Sequence, residues 1–153
     1  MENKKMTANS VGELKAVYVP TGVQYEGGKL NSARLVADAA RKVIGTDINY
    51  REHFIAMMLN NNNELIGHVV VSVGGLDRAA VDIRLLFQHA LLFNAHRMVL
   101  VHNHPNGALR PSEQDISITK AIKQVCTLLK IDLLDHLILT KSGVASMLEL
   151  KLL

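Results

Sequence analysis

Residues 31–45, NSARLVADAARKVIG, carry Leu35, Ala39 and Val43 along one helical stripe, with Asn31 or Ser32 as N-cap and Gly45 as C-cap. The spacing predicts an amphipathic helix. Before it, LKAVYVP (14–20) reads as a strand stopped by Pro20, and Gly27-Gly28 marks a loop. After it, YREHFIAMMLN and ELIGHVVVSV flank the run Asn60 to Asn63, and because Asn tolerates left-handed backbone the pair predicts a hairpin. Both arms are apolar on both faces, which predicts a sheet covered on each side. Residues 79–94, AAVDIRLLFQHALLFN, are apolar almost all round and predict a helix deep in the fold. RMVLVHN (97–103) is a short strand, Ile118, Ile122, Val125 and Leu129 recur at helical spacing, and IDLLDHLILT and GVASMLEL read as two last strands joined at Ser142-Gly143. Helices alternating with an apolar sheet give a layered α/β domain over 31–153, preceded by an N-terminal strand or extension over 1–30.

Composition narrows the class. A chain of 153 residues, 48% hydrophobic and 20% charged, fits one domain that buries roughly two thirds of its unfolded surface. With no Trp and 4% aromatics, its core is aliphatic. The single cysteine, Cys126, excludes an internal disulfide and suits a reducing compartment. The first residues, MENKKMTANSVGELKA, are polar and lack a leader pattern, and no apolar run nears the roughly 20 residues a membrane span needs. A soluble, cytoplasmic protein is expected, with no membrane partner. The net charge of +3 is scattered, with Lys4-Lys5 and Arg41-Lys42 as its only basic pairs, so contact with DNA is only weakly supported.

The candidate chemistry is concentrated in VHNHPNGALRPSEQD (101–115). On a strand, His102 and His104 project to one face and can converge on one ion, while Asn103 faces elsewhere. Pro105 ends the strand, Gly107 turns the chain, and Ser112 is placed as the N-cap of a helix. Asp115 then falls in the first turn, where the helix dipole favours a carboxylate that can reach back to the histidines. It is equally the third residue of a capping box. Two imidazoles and a carboxylate leave the fourth position of a zinc ion open, which is the catalytic kind of site. A general base is then required, and Glu52 at the head of FIAMML is the polar residue most out of place, with Glu64 as its substitute. Were its strand to neighbour that of His102, the two would run antiparallel. His53, His68, His89 and His96 read as surface or locally bonded, Asp135-His136 as a structural pair, and Cys126 and the methionines as core.

Glu52, then His102-Asn103-His104-Pro105, six residues, Ser112, two residues and Asp115 resembles the JAMM signature of the Jab/MPN metalloprotease superfamily. REHFIAMMLNNNNELIG, VHNHPNGALRPSEQDISIT and LLDHLIL are similar to its RadC-like bacterial branch over roughly residues 30 to 150. The resemblance implies a mixed sheet flanked by helices on both faces, in the Jab/MPN, cytidine-deaminase-like architecture. It implies zinc on His102, His104 and Asp115, Glu52 as acid/base, Ser112 donating to the oxyanion, and hydrolysis of peptide or isopeptide bonds in a protein substrate. Such proteins commonly carry an N-terminal helix-hairpin-helix region, for which the residues before Glu52 are too few. Ile83-Arg84-Leu85 stands where the family usually has Pro-Arg-Glu, and only the arginine is kept. Rival metal chemistries lack their ligands: a deaminase needs PCxxC, a zincin HExxH, and HNH nucleases draw their histidines from separate elements. A zinc hydrolase is the first expectation. A non-catalytic, DNA-repair-associated or scaffolding module is the second.

Overall fold

The computed structural model describes residues 15, 17, 28–74 and 81–153. The strand expected over 14–20, the loop at Gly27 and residues 75–80 lie outside the described residues. Helix α1 (Ala33–Ile44) is capped by Ser32, whose hydroxyl accepts from the Leu35 amide, and Gly45 closes it with φ +64°. A 3-10 turn (Gly45–Asn49) leads into strand β1 (His53–Leu59), followed by β2 (Leu65–Val73). Helix α2 (Ile83–Leu92), strand β3 (Arg97–Asn103), helix α3 (Glu113–Leu129), strand β4 (Asp132–Leu139) and strand β5 (Val144–Ser146) complete the order.

The five strands form one mixed sheet in the order β2-β1-β3-β4-β5, antiparallel throughout except for the parallel pair β3 and β4. Period-two alternation divides it into two faces. Ile55, Met57, Val99, Val101, Leu137 and Leu139 pack beneath Val36, Ala37, Ala40 and Ile44 of α1. Phe54, Ala56, Met58, Met98 and Leu100 face Leu86, Phe87 and Ala90 of α2 and Ile122 and Cys126 of α3. Helices thus cover both faces, and burial raises the Cys126 thiol to about 11, leaving it an unreactive core group.

Four expectations need correction. The buried stripe of α1 is Val36, Ala37, Ala40 and Ile44 together with Ala39, while Leu35 is exposed. The α2 helix is not deep: Leu85, Leu91 and Leu92 are exposed, because a helix laid on a sheet buries only the stripe that touches it. Strand β2 lies at the sheet edge among the described residues and is mostly half-exposed, with Val70 and Val73 facing outward, whereas β1 beside it is wholly buried. The last segment also leaves the sheet after Ser146. Asp135 accepts from the Leu148 amide and the Ser146 hydroxyl, which draws residues 147–150 into a turn.

Candidate metal centre

Strand β3 ends where the chemistry begins. His102 is its penultimate residue, paired with Phe54 of β1 and Ile138 of β4, and its ring turns to the face covered by α2 and α3. His104 follows the strand's end, held by its amide on the Leu139 carbonyl at 2.8 Å. Gly107 adopts φ +81°, a conformation that favours glycine, and folds the chain back. The Ala108 carbonyl thereby comes within 2.8 Å of His104 Nδ1. A carbonyl only accepts, so Nδ1 carries a proton and His104 presents Nε2 to the interior.

Asp115 is set by the start of α3. Ser112 is the N-cap: its hydroxyl accepts from the Asp115 amide at 3.2 Å, and Asp115 Oδ2 accepts from the Ser112 amide at 2.6 Å. The carboxylate that closes the capping box is therefore the one that stands beside the two histidines. Its Oδ1 lies 3.3 Å from His102 Nε2, its Oδ2 lies 3.5 Å from His104 Nε2, and the two Nε2 atoms are 2.7 Å apart.

A small tetrahedral cation with bonds of about 2.0–2.1 Å keeps its ligand atoms roughly 3.3 Å apart. The donor set fits, with only a modest parting of the two rings, and His102, His104 and Asp115 form a group that could hold a metal ion. Burial drives His102 down to about 4, against the pull of Asp115, so this ring is neutral at pH 7 and could accept a metal ion. The bond with Asp115 raises His104, so a proton and a metal compete for the same nitrogen. For Asp115 itself, burial acts to raise the carboxyl, but the bond with His104, the charge His102 gains once protonated in acid and the Ser112 bonds outweigh it and hold it well below the usual carboxylate range.

A cleft of about 390 Å³ opens over the group, lined by Glu52, His104, Ser112 and Asp115, with Phe54, Val81 and Ile118 apolar and Asn106, Arg110 and Gln114 polar. Glu52 immediately precedes β1, which runs antiparallel to β3 as its neighbour, and its charge reaches His104. Parity explains the direction: Glu52 stands two residues before Phe54, on the face shared with His102. His102 sits buried behind the lining. Glu64, the substitute base, bonds Asn60 in the hairpin loop instead.

Two residues at the site were missed in the sequence. Asn103, buried on the opposite face, accepts from the His53 amide and donates to the Ile48 and Arg51 carbonyls, each at 2.8 Å. It grips both neighbours of Glu52. Its place in the H-x-H triplet was the available signal. His136 was read as paired with Asp135, but only its amide meets that carboxylate, and its buried ring bonds His102 Nδ1 at 3.0 Å. Arg84 takes no part in the cleft, pairing with Asp82 at 3.1 Å on the surface.

A family model, RadC-like JAB domain, matches residues 30–152. The chain belongs to this family. Among relatives of this RadC-like domain, a UPF0758 protein of Pelodictyon phaeoclathratiforme is 42% identical over 103 residues, covering 67% of this chain and 46% of its own. One from Coprothermobacter proteolyticus is 38% identical over 103 residues, covering 67% and 44%. Another, from Streptococcus gordonii, is 30% identical over 140 residues, covering 85% and 61%. The chain spans about half the length of the curated relatives it matches, and their names state no activity. No helix among the described residues is long and apolar enough to cross a membrane.

Proposed function

We propose that this RadC-like domain is a zinc-dependent hydrolase of peptide or isopeptide bonds, acting in the cytoplasm on a peptide or protein substrate. The observation that carries the proposal is the convergence of His102, His104 and Asp115 on the wall of a cleft that also holds Glu52 and Ser112. Zinc held by His102, His104 and Asp115 would supply a Lewis acid and would acidify a bound water.

The remaining steps belong to the chain. Glu52 takes the proton as the water oxygen attacks the amide carbon, and returns it to the departing nitrogen when the C–N bond breaks. Ser112 Oγ accepts from the Asp115 amide, so its own proton stays available for the oxygen that gains charge. Phe54, Val81 and Ile118 exclude water from one side of the substrate, and Asn106, Arg110 and Gln114 offer polar contacts to its backbone.

Elemental analysis of purified protein should find zinc in the wild type and none in His104→Ala. A screen of peptide and isopeptide libraries should find chelator-sensitive cleavage that falls by at least about 10²-fold in Glu52→Gln with zinc retained. Wild-type protein without zinc, or cleavage undiminished in Glu52→Gln, overturns the proposal. Zinc retention without any cleavage, joined to steep salt-dependent DNA binding or a tight protein partner, would favour the non-catalytic module.

A further inference from the structure

Behind the three ligands stand two buried side chains for which hydrolysis has no direct use. Thr119 Oγ1 lies 2.5 Å from the Asp115 carbonyl oxygen and 2.6 Å from His136 Nδ1, and His136 Nε2 lies 3.0 Å from His102 Nδ1. The positions of the protons follow from valence. A carbonyl only accepts, so the proton between Thr119 and Asp115 is the hydroxyl's own. With that proton spent, Thr119 Oγ1 accepts from His136, which therefore carries its proton on Nδ1. A neutral ring protonated there has Nε2 as an acceptor, and the proton in the remaining contact sits on His102 Nδ1. His102 is thereby fixed as the tautomer whose Nε2 keeps its lone pair, directed at His104 and Asp115.

We propose that Thr119 and His136 are positioning residues of the metal centre. The hydroxyl of Thr119, acting through His136, sets which nitrogen of His102 bears the proton and ties that choice to the helical turn carrying Asp115. The inference rests on the metal-binding reading of His102, His104 and Asp115. The bonds run from β3 through β4 to the first turns of α3, so they join two of the three ligands by a route that does not enter the cleft. Thr119 and His136 are both fully buried, so no water takes over either bond when a partner is removed.

The test uses Thr119→Val, which keeps the shape and removes the hydroxyl, and Thr119→Ser, which restores it. Zinc affinity is read by competition with a chromophoric chelator, and imidazole ¹⁵N shifts report the tautomers in metal-free wild-type protein. Thr119→Val should weaken zinc binding by about 10–100-fold, the usual effect of losing an outer-shell partner, and Thr119→Ser should recover most of it. The nitrogen shifts should show both His102 and His136 protonated at Nδ1. Unchanged affinity in folded Thr119→Val, or a His136 proton on Nε2 in the wild type, overturns the inference. If Thr119→Val does not fold, the wild-type shifts decide. Wild-type protein that takes up no zinc refutes the metal reading instead, a result distinct from a wrong tautomer.

Discussion

At the scale of single residues, Asn103 does the most per atom. The β1–β3 ladder has its last rung at Phe54 and His102. One step further along, the Asn103 side chain supplies three bonds to the segment that carries Glu52. Asn103→Ala takes this partner from the buried His53 amide and Ile48 carbonyl, each costing about 1–3 kcal/mol before relaxation, while the Arg51 carbonyl still accepts from the His53 ring. A lower urea midpoint is expected, with zinc content kept and cleavage reduced in the direction of Glu52→Gln. Cleavage at the wild-type rate in a folded Asn103→Ala would show that Glu52 needs no such grip. The sequence told which way Asn103 points, because alternation along a strand is fixed by geometry. What it meets there depends on the fold of residues 48–53, which spacing does not encode. His136 was misread for the same reason: Asp135 is adjacent in sequence, but neighbours on a strand face opposite sides.

At the scale of elements, helix α3 is the part most fully legible beforehand. Pro111, Ser112 and Asp115 carry capping chemistry that depends on local spacing alone, and the structure shows both reciprocal bonds. Stability and chemistry can be separated here. Ser112→Ala should lower stability by about 1 kcal/mol through the lost cap. Ser112→Asn keeps a good cap without the hydroxyl, so thermal unfolding should return toward wild type while cleavage stays low. Recovery of both would reduce Ser112 to a cap. Helix α2 and strand β2 were less legible, because apolar periodicity counts side chains and not neighbours. It marked α2 as enclosed and β2 as covered, whereas α2 has one partner surface and β2 pairs with β1 alone among the described residues.

At the scale of the whole molecule, the site is built at a cost to acid tolerance. Burial lowers His102 to about 4 and His136 to about 3, with His104 and Asp115 the charged groups facing them. An unfolded chain protonates both histidines below about 6.5, while the folded one resists until the lower values. The unfolded state therefore binds more protons in that window, so stability is complete above it and declines as pH falls through it. Each pH unit costs up to about 1.4 kcal/mol per fully shifted histidine. Urea unfolding of metal-free protein between pH 7 and pH 4 should show this decline, and His136→Gln should flatten it. An equal slope in the variant would mean that His136 is already charged in the native protein.

Strand β3 lies at the middle of the sheet, with His102 toward one layer and Asn103 toward the other. A shift of a single residue in its pairing would exchange the two side chains between layers, breaking up the group that could hold a metal ion and the grip on Glu52 in one stroke. Loop tips around the strand leave that pairing untouched, so a residue added there costs less than one added within β3. An insertion scan should find the interior of β3 the least permissive stretch of the chain.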